Sequence, residues 1–292
     1  MSLIKVTDLT FSYDGSYDLV FDHVSFQWDT DWRLGLIGRN GRGKSTFCSL
    51  LMDWYSYSGS ISSNVQFDYF PYQVEDTSLP TMDVLQAIAP QAQQWELMRE
   101  LSLLELDSLA LDRPFETLSN GEQTKALLAA LFCNEGRFLP LDEPTNHLDV
   151  HARALVAAYL KQKKGFLLIC HDRALLDGCV DHILNFGSSG IEVQSGNFSS
   201  WLENKRRQDA YEQERADQLK TDIRRLKEAS RRTSAWSEQV EKTKYSTKNS
   251  GLRPDRGYLG HKSAKLMKRA KALQSRQEQA LAEASTLLNH VE

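Results

Sequence analysis

Apolar and polar positions along the chain change period as the chain advances. Ile4–Phe11 and Val24–Trp28 carry the β-branched and aromatic content of short strands. Arg33–Ile37 is a compact apolar run feeding a glycine-rich turn, and Ser45–Trp54 beyond it reads as a helix. Val65–Tyr69 reads as a strand, Gln94–Leu109 as a helix rich in Leu, Glu and Arg, and Glu122–Phe132 as another. Phe138–Leu141 is a short apolar run, His151–Lys161 a helix and Phe166–Cys170 a strand. This alternation predicts an α/β domain with a largely parallel sheet over residues 1–200.

From Asn197 the pattern becomes helical. Pro and Gly nearly vanish, and Leu219, Ile223 and Leu226 recur at helical spacing. A polar interval from about Ser237 to Gly260 contains Asn249-Ser250-Gly251 and Arg253-Pro254, both turn signals. A 4,3 rhythm follows at Leu266, Ala270, Leu273, Gln277, Ala280, Ala284, Leu287 and Val291, a coiled-coil seam with one polar interruption. Residues 201–292 are therefore expected to form a long antiparallel helical hairpin with its tip at about 236–260. An arm of roughly 33 residues rising about 1.5 Å each would reach about 50 Å.

Charge sharpens the division. The net charge of −4 conceals −12 over residues 1–202 (14 Lys/Arg, 26 Asp/Glu) and +8 over residues 203–292 (21 against 13). Ala229–Lys271 holds 12 basic and 3 acidic side chains, which suits an acidic body with a basic appendage for nucleic acid or an acidic surface, a solvated helical face being the plainer alternative. No run approaches the roughly 18 apolar residues of a membrane span. Cys48, Cys133, Cys170 and Cys179 are scattered without a Cys-x-x-Cys pair, which argues for a reduced, cytosolic chain without a disulfide framework or zinc site.

The chemistry begins at Gly38-Arg39-Asn40-Gly41-Arg42-Gly43-Lys44-Ser45, which matches G-x-x-x-x-G-K-[ST] between a strand and a helix. Backbone N–H groups of such a loop close on phosphates, Lys44 reaches the terminal ones and Ser45 offers its hydroxyl to Mg²⁺. Leu139-Pro140-Leu141-Asp142-Glu143 ends an apolar run in two acids. Asp142 suits Mg²⁺, and Glu143 suits a general base acting on the attacking water.

Between them, Leu118-Ser119-Asn120-Gly121-Glu122-Gln123 resembles the signature Leu-Ser-Gly-Gly-Glu-Gln of ATP-binding cassettes. The resemblance covers essentially residues 1–200 and implies a P-loop NTPase cassette with a helical subdomain, binding ATP and Mg²⁺ and hydrolysing ATP. It makes Tyr13 an adenine-stacking aromatic and Gln73 a Q-loop residue serving the metal and catalysis. It likewise makes Asn146-His147-Leu148-Asp149 a D-loop and His171 the switch histidine. Gly38, Asn40, Gly41, Gly43, Lys44, Ser45 and Thr46 would hold the phosphates. Ser119, Gly121, Glu122 and Asp149 would complete the site across a partner.

Asp142-Glu143-Pro144-Thr145-Asn146-His147-Leu148-Asp149 is similar to the stretch typical of ABC-F proteins, which join two cassettes by a basic helical linker and act on the ribosome. The surroundings of the phosphate loop and Gly196-Asn197-Phe198 most resemble the Lsa-type branch. That branch protects ribosomes from lincosamides, streptogramin A and pleuromutilins. The resemblance implies a cytoplasmic protein contacting rRNA through its hairpin, where Trp236, Tyr245 and Tyr258 are interleaved with Arg232, Lys244, Arg253 and Arg256. A housekeeping ABC-F translation factor and a transporter ATPase subunit share much of this chemistry. With one phosphate loop and one signature, the chain resembles the first half of a tandem protein. It would need a second cassette, in cis or in trans, and would hydrolyse ATP weakly alone.

Two residues depart from pattern. Asn120 replaces the first signature glycine; asparagine tolerates an unusual backbone angle, but its side chain could crowd a partner's phosphate. Pro140 removes a ladder donor, which predicts a shortened or bulged strand.

Overall fold

The computed structural model describes residues 2–146, 148–187, 190–243 and 256–288. The chain forms two units, Met1–Glu203 and Asn204–Glu292.

The first unit carries two sheets. β1 (Leu3–Phe11) pairs antiparallel with β2 (Phe21–Asp29) on one side and β4 (Ser58–Ser62) on the other. The second sheet has the order β5-β6-β7-β3-β8-β9. Its strands are β3 (Arg33–Gly38), β5 (Gln66–Phe67), β6 (Arg137–Asp142), β7 (Phe166–Ile169), β8 (His182–Phe186) and β9 (Ile191–Ser195). All pairs are parallel except β8 with β9. Both faces of the sheet are covered, as a parallel sheet requires. On β7, Leu167 and Ile169 join Trp28, Phe47 and Phe138 in a core between the sheets and α1 (Lys44–Leu51). Phe166 and Leu168 enter a second core with Leu85 of α2 (Thr81–Ile88), Leu97 of α3 (Gln94–Leu103), Leu128 of α4 (Asn120–Phe132) and Val156 of α5 (Val150–Lys161).

Several elements are shorter than the sequence predicts. The helix expected over Gln94–Leu109 stops at Leu103, because Glu105 takes left-handed backbone (φ 49°), and a 3-10 turn follows at Ser108–Ala110. The helix expected over Ser45–Trp54 likewise ends before Asp53 (φ 54°). The strand at Val65–Tyr69 contracts to β5 and one further bridge, Phe70 to Leu141. Pro140 explains that contraction. β6 spans six residues and keeps Leu139–Asp142 in unbroken register with all four residues of β7, so it is neither short nor bulged. Leu139 donates toward β7 and Asp142 toward Phe70, so by alternation the donor missing at Pro140 faces β5. The ladder is interrupted on that edge, between Phe67 and Phe70, while the Pro140 carbonyl accepts from Phe70 at 2.9 Å.

In the second unit, α7 (Phe198–Thr243, beginning in the first unit) meets α8 (Arg256–Leu288). Partly or fully buried positions on α7 recur in a 4,3 rhythm at Lys205, Asp209, Glu212, Ala216, Leu219, Ile223, Leu226, Ser230, Thr233, Ser237 and Val240. That heptad seam is longer than Leu219, Ile223 and Leu226 alone suggest. Ser263, Leu266, Ala270, Leu273, Gln277 and Ala280 are its counterparts on α8. The polar interval is a correction to the sequence reading, because Ser237–Thr243 and Arg256–Gly260 are helical. Ser237 and Ser263 are buried and hydrogen-bonded to each other, Oγ to Oγ at 3.1 Å, so small polar residues replace aliphatic ones in the seam. Val291, Lys244, Tyr245, Arg253 and the turn residues between them lie outside the described residues, as do the side chains of Ala284 and Leu287. No described helix is long and apolar enough to cross a membrane.

Candidate functional site

The C-terminal ends of β3, β6 and β7 lie side by side, with Leu36 opposite Ile169 and Asp142 also opposite Ile169. This edge of a parallel sheet is where ligands bind. β3 runs into the glycine-rich loop, and Gly43 in left-handed backbone caps α1. The first turn of α1 holds no acidic residue, so its positive end is uncompensated. Lys44 lies across the loop, its Nζ donating to the carbonyls of Gly38 (2.8 Å) and Arg39 (3.2 Å). Asn40, Gly41 and Ser45 are exposed, and Thr46 is buried. The Tyr13 hydroxyl shares a 2.8 Å hydrogen bond with Thr46 Oγ1. Its ring stands edge-on to Phe11 and Tyr55, with centroids at 5.1 and 5.6 Å.

Asp142 ends β6 and accepts from the Tyr69 hydroxyl at 3.3 Å. Burial first, then the Asp142 charge, pushes that phenol's pKa up. Glu143 follows in left-handed backbone (φ 51°), with its N–H donating to Ile169 at 2.9 Å. His171 Nε2 lies 3.4 Å from Glu143 Oε1, the histidine side chain 72% exposed and the glutamate 20%. Buried Thr145 joins the two turns, its hydroxyl meeting Cys170 Sγ at 3.4 Å, while the Asp172 N–H donates to that sulfur at 3.2 Å within the turn that carries His171. Burial raises the Cys170 thiol, keeping it protonated.

The structure thus assembles Tyr13, Gly38–Thr46, Asp142, Glu143 and His171. The other expected residues are engaged locally. Ser119 and Glu122 form a capping box on α4, with the Ser119 N–H and hydroxyl each donating to Glu122 Oε2 at 2.8 Å. The backbone donation from Ser119 leads the effects that lower the Glu122 carboxyl pKa. A Cβ on Gly121 would stand 3.5 Å from Leu148, so the signature turn rests on the D-loop. Asn120 opens α4 in ordinary helical backbone, so its tolerance of an unusual angle is not called on. Asp149 caps α5 by accepting from Ala152 at 2.7 Å. Gln73 is exposed, with no hydrogen bond to Ser45 or Asp142 among the described residues. His147 lies outside the described residues.

Residues 21–146 match the family model described as "ABC transporter". The N-terminal unit has the P-loop ATP-binding-cassette fold. ABC transporter F family member 3 of Arabidopsis thaliana is 29% identical over 206 residues, 68% of this chain and 29% of that protein. Ribosome protection protein VmlR of Bacillus subtilis is 29% identical over 287 residues, 96% of this chain and 49% of that protein. The chain therefore spans from under a third to about half the length of these relatives. Among solved structures, an ABC transporter of metal-chelate type in an inward-facing conformation shares the fold. Its TM-score is 0.56 at 21% identity, covering 67% of this chain and 84% of that one.

The donor set of the cassette fits Mg²⁺ carried by a nucleotide. Ser45 and Asp142 are hard oxygen donors, and no described cluster of three His, Cys, Asp or Glu forms a closed cage. Mg²⁺ is commonly held this way, by one or two side chains with phosphate and water completing the shell. Two supporting groups escaped the sequence reading. Tyr69 against Asp142 and Thr145 against Cys170 are 73 and 25 residues apart and follow no spacing rule.

Proposed function

We propose that the chain binds and hydrolyses Mg²⁺-ATP and acts in the cytoplasm on the ribosome as an ABC-F protein of the antibiotic-protection type. The observation that carries this reading is the extent of the VmlR match. It runs over 96% of the chain and so spans the helical unit, whereas F family member 3 matches over 68%.

The phosphates replace the carbonyls on Lys44, and the N–H groups around Gly41–Thr46 close on them. Tyr13 stacks on the base. Ser45, Asp142 and Gln73 would hold Mg²⁺, which when bound would neutralise charge on the phosphate oxygens. Glu143 orients a water and takes its proton as the oxygen attacks the terminal phosphorus. The bond to the bridging oxygen breaks, releasing ADP and phosphate. His171 holds Glu143 on one side and contacts the terminal phosphate on the other. Ser119, Gly121, Glu122 and Asp149 serve a nucleotide shared with a second cassette, in cis or in trans, so hydrolysis by the chain alone is slow.

The hairpin meets rRNA, and charge separates its two arms. α7 laces its cations to its own acids, as in Lys220–Asp217 at 3.0 Å and Arg225–Asp222 at 3.6 Å. Residues 256–277 of α8 contain seven Lys/Arg and no acid. None of Lys262, Lys265, Lys268, Arg269, Lys271 and Arg276 has a carboxylate within ion-pair distance among the described residues, and all six are exposed. Exposed Trp236 and Tyr258 offer stacking surfaces near the tip.

Expression in a lincomycin-susceptible bacterium tests this reading. It raises the inhibitory concentration several-fold, and Glu143→Gln or Lys44→Ala removes the effect. Unchanged susceptibility with an ATP-binding, ribosome-bound protein would favour a housekeeping translation factor instead.

A further inference from the structure

The turn Gly196-Asn197-Phe198 and the helix α6 (Arg173–Cys179) have no part in the nucleotide chemistry above, yet they connect it to the start of α7. α6 begins two residues after His171. Asp172 caps it, accepting from Ala174 at 2.9 Å and Leu175 at 3.2 Å, so the histidine is attached to a helix with a fixed origin. Leu175, Leu176 and Cys179 bury one side of α6 in the core. Its other groups reach forward. Asp177 Oδ1 accepts the Ser199 N–H at 2.7 Å, satisfying an orphan donor in the first turn of α7 and placing a negative charge at that helix's positive end. The Arg173 guanidinium stands 5.8 Å from the centre of the Phe198 ring, which packs on Trp201 at 5.7 Å. Both rings are partly buried against the core. Asn197 completes the root, its Oδ1 accepting from the Ser200 N–H at 3.1 Å and its carbonyl from the Ser200 hydroxyl at 2.8 Å.

Two independent contacts therefore tie one short helix to the first turn of a helix that continues unbroken to Thr243. We propose that Arg173 and Asp177 are positioning residues linking His171 to the root of α7, so that occupancy of the nucleotide site changes how firmly that root is held. The inference rests on the nucleotide-site reading above. A terminal phosphate that engages His171 displaces the start of α6, and the displacement reaches Ser199 through Asp177 and Phe198 through Arg173. Coupling of this kind requires an element that both sites bias, and α6 is that element.

Amide hydrogen exchange of the full 292-residue chain tests it. Glu143→Gln blocks hydrolysis, and ATP binding is measured separately with a fluorescent ATP analogue. ATP is expected to change the exchange of the Ser199–Trp201 amides by about fivefold or more. Asp177→Ala and Arg173→Ala, each added to Glu143→Gln, should bind ATP within about threefold of the parent yet reduce that response to less than about twofold. Asp177→Asn keeps an acceptor oxygen and should retain much of the response, which separates the tie from a general loss of fold. ATP binding with no change at Ser199–Trp201, or an equal change in Asp177→Ala, overturns the tie alone. Failure of the parent to bind ATP overturns the nucleotide-site reading and the tie with it.

Discussion

Gly43 and Gly41 stand two residues apart in the phosphate loop with nearly the same backbone angle, φ +85° and φ +80°. Their surroundings differ. A Cβ on Gly43 would lie 2.6 Å from Val20 Cγ1 and 3.0 Å from Phe21 Cζ, whereas a Cβ on Gly41 would meet nothing within 4 Å. Alanine at either position incurs the left-handed backbone cost of about 1–2 kcal/mol. The entropy it removes from the unfolded chain is also common to both and cancels in the comparison. Only Gly43→Ala adds overlap with a neighbour, and Phe21 is buried in the core and Val20 packs against it, which limits their yielding. Overpacking of this kind costs about 1–3 kcal/mol. For a unit of this size each kcal/mol lowers Tm by about 2–4 °C, so Gly43→Ala should melt about 2–12 °C below Gly41→Ala without nucleotide. Thermal unfolding followed by circular dichroism measures the difference. Equal melting temperatures would refute the claim that Val20 and Phe21 close the loop against a side chain.

Two further outcomes follow from packing. Burial alone would raise the Glu100 carboxyl, but hydrogen bonds from Lys163 and Tyr159 hold its pKa below the ordinary glutamate value. Its contribution to stability is therefore full above that ordinary value and disappears as pH falls through the depressed one. Glu100→Gln should cost about 2–3 kcal/mol at pH 7, less than the about 3–5 of a fully buried pair because Lys163 reaches solvent, and the deficit should shrink in acid; urea unfolding at pH 7 and pH 3 reads it. In the hairpin, Ser237→Leu should destabilise the α7–α8 seam by about 1–3 kcal/mol because Ser263 stands directly across; faster amide exchange in α8 reports this, and unchanged exchange would contradict the tight approach.

What could be read from the residues follows from how strictly chemistry constrains them. Phosphate binding needs a loop of fixed spacing and glycines beside a lysine, so Gly38–Ser45 was legible, as were the acids at the end of β6. Asp149 and Ser119 were legible as positions but not as helix caps, since capping depends on backbone geometry. β4 (Ser58–Ser62), built from serine and glycine around one isoleucine, lacks the continuous apolar run that marks β7, and α6, at seven residues, is too short for a helical period to emerge. In α7 the seam hid behind Ser230, Thr233 and Ser237, because a seam packed by small polar residues does not register as apolar rhythm. Pro140 is conspicuous in the sequence, but its consequence falls on β5, which only the sheet order reveals.

Co-sedimentation of the Glu143→Gln chain with ribosomes, with and without ATP, over a salt series tests whether the chain binds the ribosome in its ATP-bound state. ATP-dependent pelleting that weakens steeply with salt, and more steeply than when Lys265, Lys268 and Arg276 are replaced by glutamine, is the expected result. Pelleting that ignores ATP, or none even with a second cassette fused after Glu292, would contradict it.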